Sequence, residues 1–232
     1  MTLTENVELS REPAPEPEPS PARTSKPFWR RPWILPLAVL VGIWLYFQIE
    51  PVVGVPEDQL LLPPHDNFKP YYTLLITHMS FGTLSMLAMI LQVWPWLRQN
   101  HPKIHRVSGR IYLTGAFVGG GAGLIIVWWA PQPGKLGGVA MLLFWISMSA
   151  AALVSARRKN YVQHRRFMLY SFAVPTNNLW AYFTYLAIDK FQIPLDPAYF
   201  LEYARWAPWV GNLMLVQWWL YHTAKKRTPL SV

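Results

Sequence analysis

The sequence predicts an all-α membrane protein, a bundle of six transmembrane helices with both termini in the cytoplasm. Three observations carry that expectation. Hydrophobic residues make up 52% of the 232-residue chain and charged residues only 14%, well below the ~25% charged of soluble domains. Six apolar segments, 33–49, 72–96, 107–130, 137–156, 167–188 and 206–223, each approach the ~20 residues that cross a ~30 Å hydrocarbon core. Basic residues alternate in density from one connection to the next, which sets orientation.

The chain opens on a polar segment, 1 to about 28, that includes R-E-P-A-P-E-P-E-P-S-P-A-R. It cannot bury enough apolar area to offset its ordering entropy and is expected to be a disordered cytoplasmic tail; a Pro-rich docking site is the alternative. It lacks the short basic start and immediate apolar core of a signal peptide. Residues 29–232 form the membrane domain. Long apolar runs must be helical, because lipid offers the backbone no hydrogen-bond partner. Trp and Tyr gather at the segment ends (Trp29, Trp33, Tyr71, Tyr72, Trp94, Trp96, Trp128, Trp129, Trp206, Trp209) and read as headgroup-level belts.

Of the 21 Lys and Arg, seventeen fall before the first segment, between the second and third, between the fourth and fifth, and after the sixth. Only Lys69, Lys135, Lys190 and Arg205 fall on the opposite side. This alternation predicts the cytoplasmic termini. Arg106, Arg110, Arg165 and Arg166 stand on the inner rim, where anionic lipid headgroups are the expected contacts. The formal charge of +9 therefore points to a membrane surface and not to nucleic acid. After the tail, every Asp and Glu lies outside and none within a segment, which argues against ion-coupled transport.

With no cysteine, the chain excludes disulfides, iron–sulfur clusters and covalently attached haem. Nucleophile elbows, phosphate-cradling loops and H-E-x-x-H are absent too. The sequence assigns no catalytic residue and no metal-ligand set. Histidine chemistry is what remains. The stretch from His101 to Tyr112 reads H-P-K-I-H-R-V-S-G-R-I-Y. Pro102 suits the first turn of a helix, and His105, Gly109 and Tyr112 then share one face. His105 and His164, both on the inner side, form the natural pair to hold one haem b, with His222 a substitute. A metal through His101 and His105, or a structural and lipid-facing role, are the alternatives.

Inside the third segment, Gly115, Gly119 and Gly123 recur every four residues, a stripe that lets a neighbouring helix approach closely. Ser147, Ala151 and Ser155 of the fourth segment are the expected counterpart, with a surface for a flat cofactor as the alternative. The second segment carries a related stripe: His78, Gly82, Ser85, Met89 and Gln92. In the fifth, Pro175, Thr176, Asn177 and Asn178 interrupt the apolar run, and two adjacent amides in hydrocarbon need partners. His78 lies at a comparable depth. An intramembrane polar site of His78, Asn177, Asn178 and Gln92 is therefore expected, either as interhelical glue or as the lining of a binding site.

His78 with Gly82, Q-V-W-P-W-L-R, the H-P-K-I-H-R-V-S-G-R-I-Y stretch, a Gly-rich helix and Q-H-R-R-F-M follow one another in an order that resembles domain-of-unknown-function family 2306, a bacterial membrane-protein family. The likeness covers about residues 70 to 190 and implies a multi-pass inner-membrane protein. The histidine layout is also loosely similar to cytochrome b561-type haem proteins, with too few intramembrane histidines at the required depths. Two functions follow. One is a non-enzymatic accessory or small-molecule-binding bundle, with a membrane protein as a further partner. The other is a redox protein with one haem b between His105 and His164, exchanging electrons with quinone. A small-molecule transporter built on the Pro175-broken helix is a third, although no internal repeat is evident.

Overall fold

The computed structural model describes residues 34–49, 65, 68–130 and 132–225. The N-terminal tail, Trp29, Trp33, and the expected outer acids Glu50, Glu57, Asp58 and Asp66 lie outside the described residues, as do Lys226 and Arg227. Among the described residues there are helices and no strands. Eight α-helices follow in order: α1 (Ile34–Ile49), α2 (Tyr71–Gln92), α3 (Pro95–Asn100), α4 (Pro102–Ile126), α5 (Lys135–Arg157), α6 (Tyr161–Phe172), α7 (Asn177–Lys190) and α8 (Pro197–Lys225). Three helical stretches, Tyr71–Gln92, Pro102–Trp129 and Lys135–Arg157, are long and apolar enough to cross a membrane.

The boundaries follow local chemistry. Helix α2 ends before Pro95, which restricts the preceding residue to extended backbone; Trp94 is extended there. Pro102 begins α4 within its first turn, where its missing N–H costs nothing. Gly134 precedes α5 with φ +97°, a conformation few side chains tolerate. Asn160 caps α6 by accepting from the Gln163 N–H at 3.1 Å, which satisfies one orphan donor. The fifth apolar segment is two helices, α6 and α7, separated by a turn at residues 173–176, because Pro175 has no N–H for the helix ladder.

The core lies where α2, α4, α5 and α6 meet. Met86 and Met89 of α2, Tyr112 of α4, Ala152 of α5 and Met168 and Phe172 of α6 are buried together. Large apolar side chains face outward on α1 and α8, among them Leu35, Val39, Met214, Leu215 and Trp218.

The glycine stripe of α4 corrects one expectation. It packs against α2 instead of the Ser147/Ala151/Ser155 row of α5. A Cβ at Gly115 would fall on Ser85 Oγ and 2.5 Å from the Phe81 carbonyl, and one at Gly119 would lie 3.2 Å from the Gly82 nitrogen. Gly120, off the stripe, faces α5, with Ile146 Cγ1 2.9 Å from its Cβ position, and Gly123 meets both His78 of α2 and, at 3.2 Å, Leu142 Cδ1 of α5. Close backbone approach is what small residues contribute to membrane helix pairs. Ser85 and the backbone of Phe81 and Gly82 supply the facing surface.

Candidate functional site

His78 projects from α2 between α4 glycines. Its Nδ1 lies 2.7 Å from the Gly119 carbonyl oxygen. A carbonyl only accepts, so Nδ1 carries the proton and Nε2 of the neutral ring is left as an acceptor. Gly123 makes the room: a Cβ there would stand 2.7 Å from His78 Nδ1.

The turn between α6 and α7 brings the two asparagines to the same level. The Asn177 N–H bonds to Val174 O at 2.9 Å, not to Ala173 O as a continuous helix would require. The released Ala173 carbonyl accepts from Thr176 Oγ1 at 3.1 Å and from Asn212 Nδ2 of α8 at 3.1 Å. Asn212 also donates to Thr176 Oγ1 at 2.9 Å. The proline break is thus satisfied by a residue 39 positions away. Sequence reasoning missed Asn212, because an isolated Asn in α8 gives no local sign of its partner.

His78, Asn177 and Asn178 line one cavity of about 400 Å³, within the range of small-molecule sites. Asn177 is 3% exposed, and its Oδ1 is buried without a hydrogen-bond partner. Met86, Leu142 and Val174 supply apolar wall, with Trp44, Tyr71 and Arg205 completing the polar lining. Arg205 reaches in because Gly138 has no side chain: its Nη1 lies 3.0 Å from where a Gly138 Cβ would be. The adjacent Gly137 admits the Trp206 indole in the same way, at 2.7 Å from Nε1. Arg205 went unassigned at the sequence level, counted only as one of four outer basic residues. The Gly137–Gly138 pair was the signal that could have placed it.

Gln92 stands apart from these residues. It lies near the opposite end of α2, where its Nε2 donates to the His105 carbonyl at 2.6 Å and to Ser108 Oγ at 2.6 Å. It ties α2 to the start of α4. His105 is near that tie with its Nδ1 buried and unpartnered. His164 donates from Nδ1 to the Ala152 carbonyl at 2.9 Å, leaving Nε2 as its free position. His101 stacks edge-on against Trp96, and His222 Nδ1 bonds to Trp218 O at 2.9 Å. Among the described residues no three of His, Cys, Asp and Glu gather. Arg106, Arg110 and Arg166 are exposed, and the Arg165 guanidinium lies 5.1 Å over the Trp219 ring.

A buried polar network, reached from the cavity through the lining residue Trp145, links three helices. Trp145 Nε1 donates to Tyr112 Oη at 2.9 Å, Tyr112 Oη meets Ser171 Oγ at 2.6 Å, and Ser171 Oγ meets Ser149 Oγ at 2.8 Å. Ser85 of α2 donates to the Tyr112 carbonyl at 3.0 Å. Tyr112, Ser149 and Ser171 are fully buried. With the indole donating, Tyr112 is free to pass its proton to Ser171, giving one consistent direction of donation.

A family model described as predicted membrane protein (DUF2306) matches residues 75–220. The match runs from α2 through most of α8, so the last helix belongs to it, contrary to an end near residue 190. No curated protein and no solved structure matches the chain.

Proposed function

The chain belongs to the DUF2306 family of predicted membrane proteins, and from that premise we propose a six-span, non-enzymatic bundle that binds a small molecule in the cavity of His78, Asn177 and Asn178. The observation that carries this reading is Asn177. A buried amide oxygen left without a donor costs about 1–3 kcal/mol, and here it borders a cavity wide enough for a ligand to supply the bond. Binding is favoured over chemistry because the described lining holds no carboxylate, thiol or activated hydroxyl. Interhelical glue would instead pair the amides with neighbouring helices, as Asn212 does and Asn177 Oδ1 does not.

Six crossings follow if α1, α2, α4, α5, the α6–α7 pair and α8 each traverse the bilayer of a bacterial inner membrane. The distribution of the 21 basic residues supports cytoplasmic termini. A fluorescent protein fused to the C-terminus should fluoresce and a phosphatase fused there should stay inactive; the reverse would overturn the orientation.

Gly82 offers the direct test of the cavity. It borders the space, and nothing lies within 4 Å of a Cβ placed on it. Gly82→Leu should fold, gaining roughly 1 kcal/mol of helix propensity, while filling the cavity. Mass spectrometry of gently extracted wild-type protein should find a bound small molecule that Gly82→Leu lacks. Equal ligand in both samples would remove the cavity as its seat.

A further inference from the structure

Arg205 carries a charge that no acidic group among the described residues balances. Its backbone carbonyl accepts from Trp209 Nε1 at 2.8 Å, but its guanidinium has no hydrogen bond or ion pair among the described residues. The residue is half-buried and borders the cavity together with Tyr71 and His78. Arginine cannot shed its proton, and a charge withdrawn from water is costly unless something compensates it. Among the described residues, Asn177 Oδ1 is a buried acceptor without a donor, and His78, whose Nδ1 is taken by Gly119, borders the same space.

The arrangement has a direction. Tyr71 and His78 are seven residues apart on α2, about 10 Å along the helix axis. Arg205 lies toward the Tyr71 end, where Gly138 near the start of α5 underlies it. A cation therefore stands at one end of the cavity, Leu75 and Met141 line the rise from it, and the acceptors lie at the level of His78.

We propose that the cavity binds a single-chain carboxylic acid, with its carboxylate on Arg205, its chain along the wall of Leu75 and Met141, and a terminal hydroxyl donating its one proton to Asn177 Oδ1 beside His78. The inference rests on the cavity reading above and names the ligand class. One guanidinium matches one planar monoanion, which it grips through two parallel hydrogen bonds. A phosphate dianion would keep an uncompensated charge, and a two-chain lipid exceeds about 400 Å³. A free acid and one released from a membrane lipid share this chemistry.

The test is calorimetric titration of ω-hydroxydecanoate into full-length protein in lipid nanodiscs, against empty discs, with decanediol and acetate as companions. Wild type should bind the hydroxy acid, and decanediol and acetate far more weakly. Arg205→Gln should weaken the acid by roughly 30-fold or more and leave decanediol unchanged. Arg205→Lys, which keeps the charge and loses the fork, should fall between. Gly82→Leu should abolish binding of the acid. Decanediol binding as tightly as the acid, with Arg205→Gln without effect, would overturn the anion assignment and leave the cavity reading standing. Undiminished acid binding to Gly82→Leu would overturn the cavity reading itself. Acetate binding as tightly as the acid would reduce the site to a bare anion hole and overturn the chain's role. Binding of none of the probes to wild type would also overturn the assignment. In that case, the Gly82 extraction experiment decides the cavity separately.

Discussion

Gly115→Leu is expected to yield no correctly assembled protein, and Gly115→Ala a protein with a markedly lowered thermal midpoint. The reason is backbone geometry. The Cβ would meet Ser85 Oγ and stand 2.5 Å from the Phe81 carbonyl oxygen. Ser85 could turn aside, at the expense of its 3.0 Å bond to the Tyr112 carbonyl, but the Phe81 carbonyl belongs to the α2 ladder and cannot. Relief therefore requires α2 and α4 to separate. Overpacking of this kind costs about 1–3 kcal/mol for one methyl, and a leucine adds three more carbons on the same line. Separation would also lengthen the 2.7 Å bond from His78 to Gly119 and open the cavity wall. Gly121→Ala is the control, because nothing lies within 4 Å of its Cβ; it should be neutral or stabilising by up to ~1 kcal/mol. Thermal unfolding in detergent, read alongside size-exclusion profiles, checks all three. Equal midpoints for Gly115→Ala and Gly121→Ala would contradict the close approach.

Tyr112→Ala is the second change expected to be severe. Tyr112 is among the largest fully buried side chains, its ring packs edge-on against Phe172 at 4.8 Å, and its hydroxyl joins Trp145 of α5 to Ser171 of α6. Truncation leaves a cavity, at about 3–5 kcal/mol for an aromatic side chain, and orphans the Trp145 N–H in a dry interior. Tyr112→Phe separates the two contributions. The ring stays, the hydroxyl goes, and the loss should be about 1–3 kcal/mol from the unsatisfied indole donor. Trp145→Phe alone should cost less than Tyr112→Phe, since Tyr112 Oη keeps Ser171 when the indole is gone. Adding Trp145→Phe to Tyr112→Phe should restore part of the loss, because no orphan donor remains. A double variant no more stable than Tyr112→Phe would mean that the indole bond is energetically idle.

The network and the cavity differ in how legible they were. The placement of Tyr112 on one face with His105 and Gly109 follows from the 3.6-residue period and from Pro102 opening the helix. That Tyr112 reaches Ser149 and Ser171 does not. Serines are common in membrane helices, and nothing in S-M-S-A or L-Y-S-F marks one member as facing a tyrosine on another helix. Similarly, Pro175 announces a break and Asn177 and Asn178 announce a need for partners. The residue that meets part of the need, Asn212, lies on α8 and could be found only in three dimensions. Gln92 shows the opposite case. It shares a stripe with His78 at helical spacing, yet fourteen residues of rise, about 21 Å, carry it to the other end of α2, where it serves the start of α4.

By itself the sequence determined the helical class, the approximate limits of α2 and α5, the opening of α4 at Pro102, the break at Pro175 and the asymmetry of basic residues; it placed the sixth segment at 206–223, where α8 begins at Pro197, and had no separate α3. These depend on the length of apolar runs, on proline's missing donor and on charge, which are properties of a segment and its immediate neighbours. Only the tertiary structure decided that the glycine stripe of α4 receives α2 and not α5. It also decided that Gly137 and Gly138 admit Trp206 and Arg205, and that an amide oxygen and a cation with no hydrogen-bond partner among the described residues border the same cavity. Those outcomes are set by which helix faces meet. In an apolar bundle every face is nearly as hydrophobic as the next, so hydropathy does not choose among them; the fit of small residues and the satisfaction of buried polar groups do.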